Sequence, residues 1–74
     1  MSVGDRIRCK RKQMGLTQLA LAQKLGVAKA VVSHWENNLD NPDGWYLLNL
    51  ADIFNVNARF IIYGEVTDET NLNE

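Results

Sequence analysis

Residues 17–38, running from Thr17 to Asn38, read T-Q-L-A-L-A-Q-K-L-G-V-A-K-A-V-V-S-H-W-E-N-N. Two short helices joined by a tight turn at Gly26-Val27 account for the pattern. In the first, Leu21, Ala22 and Leu25 share a face. Thr17 caps its start, because a hydroxyl there accepts an otherwise unpaired backbone N–H. Gly26 follows the last apolar position and can take the left-handed conformation that closes a helix. In the second, Ala28, Val31, Val32 and Trp35 fall on one side. Lys29, Ala30, Ser33, His34 and Asn37 fall on the other. Ala22 is small, which lets the second helix cross the first closely.

A buried stripe backed by a small, polar, hydrogen-bonding stripe suits a helix that packs on one side and enters a DNA major groove on the other. In combination, Gln18, Leu21-Ala22, Gly26-Val27, Val32-Ser33 and Trp35-Glu36-Asn37 resemble the helix-turn-helix of Cro/cI-type regulators (the xenobiotic-response-element family), most of all the DNA-binding domains of lambdoid phage repressors. The likeness runs from about Gly4 to Gly64. It implies an all-α, five-helix, lambda-repressor-like domain over residues 1–64, with the helix-turn-helix at about 17–38. The chain departs from the family where Ala28 stands in place of the usual Ser or Thr cap. Loss of such a cap costs on the order of 0.5–2 kcal/mol. Asn38 replaces the more usual Gly after the second helix, and Asn tolerates the left-handed conformation.

At 74 residues the chain holds one domain with a small core. An apolar fraction of 46% favours a folded chain over a disordered one. No apolar run approaches the ~20 residues that span a membrane, and no signal peptide is evident. Cys9, the single cysteine, has no internal partner, so a cytoplasmic protein is the simplest expectation. Net charge is -1, but its distribution is uneven. Residues 1–40 carry seven bases and three acids, whereas residues 41–74 carry one base and six acids. This asymmetry predicts a basic working surface with an acidic far end.

Ser2 reads as the cap of a first helix running to about Met14, with Asp5 closing a capping box one methylene short of the usual Glu. Ile7, Arg11 and Met14 share a face, which places two core residues beside a charge. Arg11 must either snorkel to solvent or find a partner, since an unpaired buried charge costs several kcal/mol. In the repressors the chain resembles, an arginine here pairs with the glutamate that ends the recognition helix, which implies Arg11 with Glu36. Leu39 to Asp43 is a loop with a turn signal at Asn41-Pro42. A fourth helix follows from about Gly44 to Phe54, with Leu47, Leu50, Ala51 and Phe54 as its apolar stripe. Asn57 caps a short fifth helix that stops at Gly64. Its run Phe60, Ile61, Ile62 and Tyr63 spans too wide an arc for one core, so at least one of Ile61 and Ile62 should stay exposed in a monomer. That is either a lone surface side chain or part of a dimer patch. The resemblance implies the patch, with Ala58, Ile61 and Ile62. From Glu65 to Glu74 the sequence is acidic and aperiodic, a flexible tail or the start of a linker.

The resemblance also implies a function and a division of roles. The chain is expected to be a sequence-specific transcriptional regulator that binds a palindromic operator in double-stranded DNA as a homodimer. Lys29 is expected to donate to guanine and Ala30 to pack on a thymine methyl, with Ser33 and His34, one turn on, expected at bases, though phosphates are also within reach. Gln18, Gln23, Asn37 and Asn41 are expected at phosphates. Repression by occluding RNA polymerase and activation by touching it are both open. A restriction–modification controller or an antitoxin would share the fold and length. A helical protein-interaction module is the alternative from another class, but Ala30 is the one apolar member of the outward face. No nucleophile–base pair, carboxylate pair or phosphate-cradling loop suggests an enzyme. His34 and Cys9 lack metal-ligand spacing, and no cofactor is called for.

Overall fold

The computed structural model describes residues 1–66, so most of the expected acidic tail lies outside the described residues. Five helices follow one another: α1 (Val3–Gln13), α2 (Gln18–Leu25), α3 (Lys29–Glu36), α4 (Gly44–Phe54) and α5 (Ala58–Tyr63). There is no strand among the described residues. The fold is the all-α, five-helix arrangement expected from the sequence.

Local chemistry sets the helix ends. The Asp5 backbone N–H donates to Ser2 Oγ at 3.0 Å, and the Ser2 N–H donates back to Asp5 Oδ2 at 3.1 Å, so the shorter carboxylate still closes the capping box. Thr17, Asp43 and Asn57 accept backbone N–H bonds at the starts of α2, α4 and α5. Gly26 closes α2 at φ 74°, while the Val27 N–H reaches back to Ala22 O at 3.0 Å. Asn38 and Asn55 take the left-handed conformation after α3 and α4 at φ 59° and 56°, as short polar side chains permit.

The core is Ile7, Leu21, Ala22, Leu25, Val32, Trp35, Leu50, Ala51, Phe54 and Ile61, drawn from all five helices. Ala22 is fully buried beneath α3, which packs more extensively on α2 than on any other helix. Trp35 stacks obliquely on Tyr46 at 5.6 Å, joining α3 to α4, and Trp45 meets Tyr46 edge-on at 4.9 Å within α4.

Three sequence expectations are corrected here. Met14 is not a core residue and is 47% exposed. α1 ends at Gln13, and Met14 leaves the helix at ψ 2°, so its place on the Ile7 face is lost. Ala28 does not share the buried face of α3. It is the exposed N-cap, with extended backbone at φ -74° and ψ 151°, where helical periodicity does not apply. Ile61 is fully buried within this chain, on a helix that packs against both α4 and α1, and is therefore core rather than part of a dimer patch. Ile62 and Ala58 are half-buried, and the strongly exposed residue of the run is Tyr63. α5 packs against α1 as well as α4, so its buried face is wider than one core-facing arc.

Ala28 gives no side-chain cap to α3, and its exposed, extended backbone can accept one without rearrangement. Ala28→Ser is expected to stabilise the domain by about 1 kcal/mol, a rise of about 4–8 °C in Tm. A thermal melt with no rise would mean that another group already serves those N–H donors.

Candidate nucleic-acid interface

The recognition surface depends on how α3 is held from behind. Glu36, the last residue of α3, is almost fully buried and accepts four hydrogen bonds. Arg11 Nε reaches Glu36 Oε2 at 2.6 Å, and Arg11 Nη2 reaches Oε1 at 3.0 Å. This is a bidentate, charge-assisted pair between α1 and α3. Gln18 Nε2 donates to Glu36 Oε1 at 3.0 Å from α2, and Arg8 Nε donates to the same oxygen at 3.3 Å. Arg11 also donates from Nη1 to Leu16 O at 2.8 Å, fixing the loop between α1 and α2. One carboxylate thus ties three helices together. Burial pushes the Glu36 carboxyl up, but the hydrogen bonds from Arg11 and Gln18 and the arginine charge outweigh it, leaving the group below its ordinary value. Glu36 in turn raises the Arg11 guanidinium.

The opposite face of α3 is open. Lys29, Ala30, His34 and Asn37 are exposed and Ser33 is half-buried, so these five residues share one outward surface. Asn37 Nδ2 donates to Ser33 Oγ at 3.3 Å, one turn back. Gln23 lies exposed on α2, and Asn41 lies exposed in the loop before α4. Gln18 differs from the expectation of a free phosphate contact, because its amide donates inward to Glu36. The N–H groups at the start of α2 remain beside it.

Two arginines have roles the sequence reading overlooked. Arg6, one of the seven bases within residues 1–40, is buried rather than part of a basic surface. Its Nε and Nη2 donate to Ile61 O and Ile62 O, both at 2.8 Å, capping the end of α5, and its Nη1 bonds Met1 O. Arg8 links Glu36 to Asn37, donating from Nη2 to Asn37 Oδ1 at 3.4 Å. A signal for Arg8 was present: it precedes Arg11 by three positions, so both share a side of α1. Gly4, one turn before Arg8, marks the closest approach. A Cβ built there would lie 2.5 Å from Trp35 O and 2.6 Å from Glu36 O. The start of α1 therefore abuts the end of α3 backbone to backbone, and Gly4 N donates to Asn38 Oδ1 at 3.0 Å.

Among the described residues, no group of three or more His, Cys, Asp or Glu side chains could hold a metal ion. No described helix is long and apolar enough to cross a membrane.

Two tightly crossed helices, the second with an open polar face and a buried rear anchor, define a class. Residues 7–61 match the helix-turn-helix family profile, and the chain belongs to that family, in its Cro/cI-type branch. It is similar to repressor protein C2 of Salmonella phage P22, 31% identical over 70 residues that cover 95% of this chain and 32% of that protein. It is also similar to the HTH-type transcriptional regulator DicA of Escherichia coli (strain K12), 32% identical over 65 residues covering 88% of this chain and 48% of that protein. The chain spans less than half the length of either relative. Among solved structures, the P22 c2 repressor in complex with a synthetic operator superposes with a TM-score of 0.84 at 31% identity, covering 88% of this chain and 98% of that one. The N-terminal DNA binding domain of SinR from Bacillus subtilis gives 0.73 at 35% identity, covering 80% of this chain and 87% of that one.

Proposed function

We propose that the chain is the operator-binding domain of a dimeric transcriptional regulator of the phage-repressor type. The observation that carries this reading is the two-sidedness of α3. Its rear is fixed by Glu36 to α1 and α2, and its front offers Lys29, Ala30, Ser33, His34 and Asn37 to solvent. A rigid helix with an open polar face is the form that reads base edges in a major groove. The similar P22 c2 repressor, solved with a synthetic operator, supports double-stranded DNA as the partner.

In this reading Lys29 donates to guanine O6 and N7, and Ala30 packs on a thymine methyl. Ser33 and His34 reach bases one turn further along. Gln23, Asn37, Asn41 and the free N–H groups beside Gln18 meet phosphates. Two copies pair through the flank of α5 that carries Ala58 and Ile62. Their two-fold axis then matches a palindromic operator with half-sites about one helical turn apart. Occupying such an operator excludes RNA polymerase, and the regulator works in the cytoplasm on phage or host DNA.

Lys29→Ala is expected to weaken operator binding by about 1–3 kcal/mol, to weaken random DNA much less, and to relax one base position. Titrations of both DNAs at matched salt decide it. Equal losses on both would assign Lys29 to a phosphate and remove it from base reading.

A further inference from the structure

Arg8 sits where the buried anchor of α3 meets its open face. Three shorter hydrogen bonds from Arg11 and Gln18, at 2.6, 3.0 and 3.0 Å, already hold Glu36. The Arg8 bond to Glu36 is the longest of the four at 3.3 Å, and its side chain is 40% exposed. Removing Arg8 therefore strands no buried charge. Its other hydrogen bond leads outward, from Nη2 to Asn37 Oδ1 at 3.4 Å.

A guanidinium donates and cannot accept. Whatever end of the Asn37 amide faces Arg8 must be its oxygen, so the NH2 group is turned toward Ser33. It donates to Ser33 Oγ at 3.3 Å. That bond occupies one of the hydroxyl's two lone pairs and points the O–H away from Asn37, so the donor and a single lone pair are left for a partner outside. In the major groove the acceptors are guanine N7 and O6, adenine N7 and thymine O4. The amino groups of cytosine and adenine are donors.

We infer that Arg8 is a positioning residue for DNA reading: through Asn37 it sets Ser33 as a hydrogen-bond donor and biases one base position toward acceptor edges. This rests on the proposed function, in which Ser33 faces bases. Lysine at position 8 keeps the charge, but a single ammonium has no rigid fork to span Glu36 and Asn37 together. Aspartate at position 37 has no donor. It accepts from both Arg8 and the Ser33 O–H, which turns the Ser33 lone pairs outward.

The test selects bound sequences from a random duplex pool with wild-type protein and with Ser33→Ala, Arg8→Lys and Asn37→Asp, and records the Tm and salt dependence of each. Ser33→Ala and Arg8→Lys are expected to flatten the same base position by about threefold to tenfold, the worth of one neutral hydrogen bond, with other positions unchanged. The Tm of Arg8→Lys stays near wild type. Asn37→Asp shifts that same position toward bases presenting an amino group, whatever its effect on total affinity. The inference is overturned if Ser33→Ala flattens a position that Arg8→Lys and Asn37→Asp leave intact; the reading of Ser33 then survives. A Tm loss in Arg8→Lys with an unchanged profile would make Arg8 purely structural. A uniform loss with a smaller salt slope would make it a phosphate contact. If Ser33→Ala alters no position, the base-reading role of Ser33 and the inference built on it both fail.

Discussion

Glu36→Ala should cost about 3–5 kcal/mol, a large share of the about 5–15 kcal/mol that holds a small domain folded. The loss comes from what is left behind. Arg11 is 8% exposed, and without Glu36 its charge keeps only the Leu16 carbonyl as a partner among the described residues. The Gln18 amide loses its acceptor too. The size of the effect measures the penalty of an unpaired buried charge rather than the net worth of the pair.

The same carboxylate sets a pH dependence. Its folded pKa lies below the ordinary value, so its contribution is fully present above the ordinary, unfolded glutamate range. It is lost progressively as pH falls from there through the folded pKa. Melts taken across this acid range should show wild-type stability falling, with the Glu36-dependent part of the fall absent in Glu36→Ala where that variant folds enough to measure. A Tm for Glu36→Ala close to wild type at neutral pH would mean that Arg11 relaxes to solvent and that the anchor is dispensable.

Gly4→Ala tests the other contact that aims α3. By helix propensity alone, alanine within α1 should gain up to about 1 kcal/mol. The geometry predicts the opposite sign. The added methyl would lie 2.5–2.8 Å from Trp35 O, Glu36 O and Asn38 Oδ1, and two of those atoms are backbone. Backbone carbonyls at a helix end move only if the helix moves. The overlap should cost about 1–3 kcal/mol, net of the propensity gain, and shift the end of α3 away from α1. Urea denaturation gives the stability. Operator affinity should fall more than that loss explains, because the displaced helix is the one proposed to meet DNA. A more stable Gly4→Ala protein would show that the approach is looser than these distances require.

Most of the helical plan was legible because it is written in local chemistry. Ser2, Thr17 and Asn57 each mark a helix start, and Gly26 and Gly64 each mark a stop, through preferences that need no tertiary partner. The stripe Leu21, Ala22 and Leu25 is core for the same reason, a regular period within one helix. What escaped depended on a second helix or on a departure from helical geometry. Ile61 is buried on a helix that packs against both α4 and α1, which one-sided periodicity does not reveal. Arg6 looks like any surface base until the carbonyls ending α5 come within its reach. Met14 and Ala28 sit on helix boundaries, where the angular argument stops. On the outward face of α3 the pattern was plain, but its link to Arg8 was not, since it joins residues 28 and 29 positions apart.

If α3 reads a two-fold DNA site, selection of bound sequences from a random duplex pool at moderate salt should return a palindromic consensus with half-sites about one helical turn apart, from which Lys29→Ala erases one position in each half. Absence of any enriched sequence, both for the chain alone and for a covalently linked dimer of it, would show that α3 does not read DNA in this way.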